Sequence, residues 1–423
     1  MYDAINTTVA FLKKIVPEPV VRLFRPLYHR ALAFFMALSY GFPARKLVVI
    51  GITGTKGKST TAEMLFSILR AAGYRTALIS TIRFAIEDHS EPNRYKMTLQ
   101  GRGFAQVFMR KALDAHCTHL IIEVTSESVL QYRHWFLDLD GLIVTNIQPE
   151  HIESHGSFAN YVAAKRSIVA TLARSPKHTH FLVSNEDIPE TRAFLSVPGT
   201  TAVGFSMHEL TACTGDDRST QFTYAGTHFS LPLPGTMNAA NALAALKMTE
   251  LLAIPLSTAA AALAVLPPVR GRVERIDAGQ DFAVIVDYAH TPDSLAALYA
   301  TFKHEKKICV LGNTGGGRDT WKRAEMGRIA DTACEKVILT NEDPYDEDPA
   351  AIVAAMAAGM QRPPLIIMDR REAIRTALAA ARTGDAVLIS GKGTDPFIMG
   401  PHGSKTPWSD AEVVREELTR LLS

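Results

Sequence analysis

Cysteine pairs, net charge and long hydrophobic runs are all scarce in this 423-residue chain, and each scarcity closes off a class. The four cysteines (Cys117, Cys213, Cys309 and Cys334) are scattered, with no C-x-x-C pair. That spacing argues against a zinc site and predicts free thiols in a reducing compartment. The 45 Lys and Arg nearly balance 43 Asp and Glu, so a formal charge of +2 gives no pull toward nucleic acid. Residues 31–38 are a solid apolar run after a basic stretch, but a bilayer span needs about 20 apolar residues. No small-residue cleavage pattern precedes Ala44, so no secretory signal is expected, and a cytoplasmic location is. There is no internal repeat and no low-complexity segment. With 47% hydrophobic residues the chain can bury the cores of two or three domains.

A glycine is also missing where one would be informative. The strict phosphate-loop pattern G-x-x-x-x-G-K-[ST] would put glycine at Ile52. Everything around that position fits. Residues 47–50 read as a buried strand, Gly51, Gly54 and Gly57 as tight turns, and the residues from Ser59 onward as an amphipathic helix. Strand, glycine loop and helix N-terminus make a cradle whose N–H groups face an anion. Gly54, Thr55, Lys56, Gly57, Lys58, Ser59 and Thr60 are therefore candidate nucleotide contacts. Lys58 would reach the β- and γ-phosphates, and Ser59 would offer an oxygen to Mg²⁺.

Further along, strands at 76–80, 120–125 and 141–146 alternate with helices, which predicts a parallel sheet covered on its faces. Ligands bind at the carboxyl ends of such strands. Glu123 stands at one end, and Glu150, His151, Glu153 and His155 follow another. His151 and His155 lack the glutamate of a His-Glu-x-x-His zinc motif, so a magnesium role beside a nucleotide fits better. Residues 267–272 have linker composition. A second α/β pattern follows, with strands at 283–286, 307–312, 336–340, 365–368 and 386–390. Its strand ends carry Asp287, the loop 312–319, the loop 341–345 and Gly391-Lys-Gly-Thr-Asp395. Expected boundaries are 1–45 for a helical basic and apolar segment, 46–267 for a central ATP-binding domain and 268–423 for a Rossmann-like domain.

Several stretches, in this order, resemble one family. Gly-Thr-Lys-Gly-Lys-Ser59 is similar to Gly-Thr-Asn-Gly-Lys-Thr of the Mur ligases, and Glu123-Val-Thr-Ser to their Glu-Val-Ser-Ser. Gln131-Tyr-Arg133 keeps a Gln-x-Arg, and residues 145–156 resemble Thr-Asn-Leu-x-x-Asp-His-Leu-Asp-Tyr-His-Gly. Tyr161-Val-Ala-Ala-Lys165, Asp287-Tyr-Ala-His-Thr-Pro-Asp293 and Val414-Arg-Glu416 complete the set. The match is strongest to the MurE branch, which adds the third amino acid of the peptidoglycan stem peptide. It runs from about Lys46 to the end. On this resemblance residues 1–45, where six basic residues stand against two acidic ones, are expected in place of the family's uridine-nucleotide domain.

The resemblance implies an ADP-forming ligase that phosphorylates a muramoyl-peptide-like acceptor and lets an amino acid displace the phosphate. It implies ATP and two Mg²⁺ ions, one held by Ser59 and Glu123, the other by His151 and a carbamylated Lys165. Lys58, Glu123, His151 and Lys165 are the implied catalytic group. Asn238 and Asn241 would meet adenine, Arg272 the γ-phosphate and Asp287 the ribose. Thr98, Thr125, Gln131 and Arg133 match acceptor positions; Arg318, Gly391 and Asp395 match those that hold the incoming amino acid. Glu342, Asp343 and Tyr345 stand where diaminopimelate-using members read Asp-Asn-Pro-Arg. Without that arginine, lysine or ornithine is the expected substrate. A folate-type or lipid-linked acceptor and a nucleotide-binding scaffold are the alternatives. The protein is expected to be a monomer, with peripheral membrane contact through residues 1–45 as an option.

Overall fold

The computed structural model describes residues 18–423 except 96, 102, 151 and 318. The chain packs as two compact units. The first comprises residues 1–147, 159–206 and 244–255, the second 148–158, 207–243 and 256–423.

An eight-stranded sheet forms the centre of the first unit, built from β1 (Val48–Thr53), β2 (Thr76–Ile79), β3 (Arg83–Ile86), β4 (His89–Pro92), β5 (His119–Glu123), β6 (Gly141–Val144), β7 (Phe181–Asn185) and β8 (Thr201–Phe205). Its order is β4-β3-β2-β5-β1-β6-β7-β8, parallel from β2 to β8, with β3 and β4 added antiparallel. β1 lies at the centre, with Ile52 beside Glu123 of β5 and Thr53 beside Val144 of β6. Because neighbours cover both of its edges, β1 stays extended through Gly51, which sequence alone reads as a turn. A Cβ at Gly51 would meet the Leu142 and Leu139 side chains at 3.0 and 3.4 Å, so its smallness serves packing. The helix Lys58–Ala71 buries ten of its residues against this sheet. Ahead of β1 runs the helix Glu18–Ser39. The basic positions Lys13 and Lys14 lie outside the described residues.

In the second unit a sheet of order β12-β13-β17-β14-β15-β16 comprises β12 (Glu274–Arg275), β13 (Ala283–Val286), β14 (Lys307–Leu311), β15 (Lys336–Leu339), β16 (Leu365–Ile366) and β17 (Ala386–Ile389). All its pairings are parallel except that of β12. Alternate residues of each strand face opposite ways, and both directions are apolar. Ile285, Leu311, Leu339 and Leu388 enter one core cluster; Val284, Val310, Ile338 and Val387 enter the other. A sheet apolar on both faces needs helices on both, hence the doubly wound form. A three-stranded antiparallel sheet, β11-β10-β9, also belongs to this unit: β9 (Thr211–Gly215), β10 (Thr220–Tyr224) and β11 (Thr227–Leu231).

The cysteine expectation is corrected. Cys309 on β14 and Cys334, just past the helix Lys322–Ala333, form a disulfide with Cα atoms 6.2 Å apart; Cys117 and Cys213 are free. Their 25-residue separation hides the pairing in sequence, since strand, loop and returning helix bring the two back together. No helix among the described residues is long and apolar enough to cross a membrane.

Candidate active site

In the first unit, β1 ends at Thr53, and residues 54–57 turn before the helix begins at Lys58. Gly54 has φ 148°, and a Cβ there would overlap the Thr145 hydroxyl; Gly57, at φ 80°, caps the helix. The loop is braced from behind. Thr55 N–H donates to Asn146 O at 2.9 Å and Lys56 N–H to Asn146 Oδ1 at 2.8 Å, while the Thr145 hydroxyl donates to Lys56 O at 2.6 Å. Lys58 Nζ donates to the carbonyls of Gly54 and Thr55 at 2.9 and 2.8 Å, which keeps its ammonium on the loop. Ser59 and Thr60 occupy the first turn of the helix, both buried.

Among the ionisable side chains buried in this unit are one at the end of β5 and one under the loop. Glu123 has no exposed surface, and its two oxygens accept from Thr81 N–H at 2.8 Å and Thr81 Oγ1 at 3.0 Å. Lys165, 1% exposed, donates to Gly54 O at 3.0 Å and Thr53 Oγ1 at 3.3 Å. Its ammonium lies 5.0 Å from the Tyr161 ring centre, and Tyr161 OH stands 2.8 Å from Thr55 Oγ1. His151 lies outside the described residues.

Glu123 connects to the expected acceptor positions through a residue that sequence did not single out. The Thr81 hydroxyl is 2.7 Å from Thr98 Oγ1. Next to Thr98, Leu99 O accepts from Arg133 Nη1 at 2.7 Å, and Arg133 Nη2 donates to Gln131 Oε1. Thr125 is nearby in sequence but works locally, capping the helix Ser126–Leu130 by accepting from Ser128 N–H. Thr81 carries no motif; only the turn between β2 and β3 brings it here.

The second unit holds the remaining candidates. Asn238 Nδ2 donates to Pro234 O at 2.7 Å, and Asn241 Nδ2 to Asn238 Oδ1 at 3.1 Å, so the two amides are coupled at the start of the helix Met237–Leu251. Asp287 accepts from Val273 N–H and Ala289 N–H, each at 2.7 Å. Burial holds its carboxyl above the ordinary value against the pull of Arg272. The Arg272 guanidinium lies 4.5 Å over the Tyr288 ring. The nearby Asp395 carboxylate, with burial, holds the Tyr288 phenol well above its usual range.

The acidic loop behaves differently from a solvated rim. Glu342 and Asp343 are each 2% exposed. Asp343 Oδ1 accepts from Lys392 Nζ and Met399 N–H, both at 2.8 Å, because a fully buried ammonium needs an opposite charge. Asp395 Oδ2 is 3.6 Å from the same ammonium. Lys392 thus organises two residues expected at the substrate, and sequence gave it no role. Glu342 Oε1 accepts from the Thr314 hydroxyl at 2.8 Å while Oε2 is buried without a hydrogen bond. A Cβ at Gly391, φ 105°, would collide with that carboxylate. Tyr345 has φ 53° and donates its N–H to Met399 O at 3.1 Å. Arg318 lies outside the described residues.

Mg²⁺ is an ion that takes few protein ligands and completes its shell with phosphate and water oxygens. Among the described residues no cluster of three or more His, Cys, Asp or Glu could hold a metal. One hydroxyl, Ser59, and one buried carboxylate, Glu123, on the unit that carries the phosphate loop suit that ion, and the glycine-lined loop suits a phosphate.

A braced glycine loop between a central parallel strand and a helix defines a phosphate-binding α/β protein with a second doubly wound unit behind it in sequence. Residues 52–249 match the Mur ligase middle domain, and residues 271–393 match the Mur ligase, glutamate ligase domain. The chain belongs to the Mur ligase family, whose members are ATP-dependent, ADP-forming ligases that use Mg²⁺. It is 35% identical to a UDP-N-acetylmuramyl-tripeptide synthetase of Roseiflexus sp. (strain RS-1), over 96% of this chain and 85% of that one. A UDP-N-acetylmuramoyl-L-alanyl-D-glutamate–2,6-diaminopimelate ligase of Geobacillus kaustophilus is 34% identical over 87% and 78%. Among solved structures, Mycobacterium tuberculosis folylpolyglutamate synthase complexed with ADP shares the fold, with a TM-score of 0.68 and 18% identity over 93% and 94%.

Proposed function

We propose that this protein is a MurE-type ligase that joins an amino acid to a muramoyl-peptide-like acceptor. The observation that carries this reading is the run of contacts from Glu123 through Thr81 to Thr98, and from Leu99 to Arg133 and Gln131. It couples a metal-type carboxylate to a cationic acceptor cluster within one unit. In this reading residues 46–267 serve ATP and acceptor, and residues 268–423 serve the amino acid and carry Arg272 and Asp287 for the nucleotide.

Transfer of the γ-phosphoryl to the acceptor carboxylate gives an acyl-phosphate; attack by the amine then expels phosphate and forms the amide. Such steps depend mostly on positioning and charge neutralisation. The 54–60 loop and Lys58 bind the phosphates, and the Thr145 and Asn146 brace keeps the N–H groups aimed. Arg133 orients an acceptor carboxylate, and the Glu123–Thr81–Thr98 contacts hold that site in register. Arg272 reaches the nucleotide phosphate, Asn238 and Asn241 the adenine, and Asp287 the ribose. Ser59 and Glu123 would hold one Mg²⁺, and His151 with a carbamylated Lys165 a second; bound there, Mg²⁺ neutralises phosphate charge. We place the reaction in the cytoplasm, with the protein a monomer.

Tyr345 stands where an arginine would grip the second carboxylate of diaminopimelate, and a phenol offers at most one neutral hydrogen bond. Lysine or ornithine is therefore the preferred substrate, although the Geobacillus relative is named for 2,6-diaminopimelate. Phosphate release with ATP, one muramoyl-dipeptide acceptor, UDP-linked or lipid-linked, and each amino acid in turn tests this. Lysine or ornithine should exceed meso-diaminopimelate in kcat/KM by on the order of tenfold, as expected for one lost charge-assisted contact. A preference for meso-diaminopimelate would reverse the reading of Tyr345; no amino-acid-dependent release would reject the ligase reading. We also propose that the helix Glu18–Ser39 meets an anionic membrane surface.

A further inference from the structure

The residues expected at the acceptor come from two segments of the first unit, 97–103 and 126–138. The helix Glu18–Ser39, of the same unit, meets both. Arg30 Nη2 donates to the Tyr132 hydroxyl at 2.9 Å. Its guanidinium carbon lies 4.4 Å from the Tyr132 ring centre and 5.1 Å from that of Trp135. Tyr132 stands between Gln131 and Arg133. Six residues beyond Arg30, Met36 lies against the other segment. A Cβ at Gly103, φ 78°, would come within 2.4 Å of Met36 Cε, so only glycine permits this approach. Gly103 ends the stretch that carries Thr98 and Leu99, and caps the helix Phe104–Asp114.

The Gln131–Arg133 turn needs outside support. Tyr132 has φ 53° and Phe136 φ 58°, a left-handed backbone that bulky residues seldom adopt unless their surroundings impose it. Within the turn, Tyr132 N–H donates to Val129 O and Arg133 N–H to Ser128 O, both at 2.9 Å. Those bonds close the backbone but leave the Tyr132 ring free to rotate. A guanidinium that stacks on the ring and also donates to its hydroxyl fixes the ring's direction. Arg133 Nη1 joins the two segments directly through Leu99 O, so the helix reinforces a junction that an acceptor residue itself makes.

We propose that the helix Glu18–Ser39 is a clamp that sets the acceptor site, with Arg30 as its positioning residue. Arg30 fixes Tyr132 and through it the Gln131 and Arg133 side chains, while Met36 fixes the segment that carries Thr98. The inference rests on the MurE-type reading for what those side chains bind. It adds to that reading an element that no motif marks. Arg30 acts through Tyr132 and takes no part in bond making.

The test combines steady-state kinetics with hydrogen exchange on the full chain. The acceptor probe is UDP-N-acetylmuramoyl-L-alanyl-D-glutamate, the compound in the Geobacillus relative's name. Arg30→Ala should raise the KM for this acceptor by on the order of tenfold, as expected for one lost hydrogen bond and one cation–π contact. The KM for ATP and kcat should stay within about twofold, because the phosphate loop makes no contact with Arg30. Arg30→Lys, which keeps the charge and a donor, should recover part of the loss. Equal changes in both KM values, or none in the acceptor's, would overturn the proposal. Tyr132→Phe loses only the hydroxyl and gives the same comparison should Arg30→Ala fail to fold. Amide exchange in peptides covering 97–106 and 128–136 should quicken in Arg30→Ala, with peptides covering 54–71 unchanged. Unaltered exchange in the first two would also overturn the clamp. Faster exchange there, with no amino-acid-dependent phosphate release from the unsubstituted protein, would uphold the clamp and reject the ligase reading.

Discussion

Lys165 sets a problem that a single residue can pose. Removing an ammonium from water costs several kcal/mol unless a counter-charge compensates. Lys165 sits under the phosphate loop at 1% exposure, where a carbonyl and a hydroxyl are among its partners. A carbamate on Nζ would replace the positive charge with a carboxylate-like end suited to a cation. Intact-protein and peptide mass spectrometry should find the added mass of carbon dioxide on Lys165. Lys165→Ala should retain ATP binding yet lose ligation by about 100-fold or more, the scale of one electrostatic group in a transition state. Short-chain carboxylates added to that variant should restore part of the rate. Full activity in Lys165→Ala, with an unmodified lysine in the parent, would dispose of the idea.

At the scale of elements, the helix Glu18–Ser39 has two unlike sides. One packs: Ala37 is buried and the Arg30 guanidinium stacks 4.4 Å over Tyr132. The other exposes Leu27, Phe35 and Leu38 at 63%, 61% and 51%. Their spacing of eight and three residues puts them along one stripe. Six basic against two acidic residues in positions 1–45 would repel a second copy and attract an anionic surface. The chain should float with vesicles containing phosphatidylserine at low salt, less at high salt, and not with neutral ones. Phe35→Glu with Leu38→Glu should abolish flotation; undiminished flotation would remove the membrane reading.

Elements also show what sequence could and could not reveal. Hydrophobic period and glycine placement made the phosphate loop and both parallel sheets legible, because those signals are local. Gly51 misled, since its role depends on Leu139 and Leu142 from elsewhere in the chain. The Thr81 bridge, the Lys392–Asp343 pair and the Cys309–Cys334 bond were hidden for the same reason: each joins segments that only the folded sheet brings together.

For the whole molecule, acid should load the two units at different pH. In the first unit, burial pushes His119 and His134 down to about 4 from an ordinary 6.5. The unfolded chain binds protons there that the folded one refuses, so stability is full above about pH 6.5 and falls as pH drops toward 4. The shifts correspond to about 3 kcal/mol for each histidine at most. In the second unit, the hydrogen bond from Arg375, with help from Arg371, pushes Glu417 down to about 2. Its contribution is present above the ordinary carboxylate value and is lost only as pH falls through 2. Trp135 reports on the first unit and Trp408 on the second. In variants keeping one of these tryptophans, the Trp135 transition should therefore come at the higher pH. His134→Leu should lower that midpoint and leave the Trp408 transition in place. Coincident transitions that ignore the substitution would mean that the buried histidines do not govern acid stability.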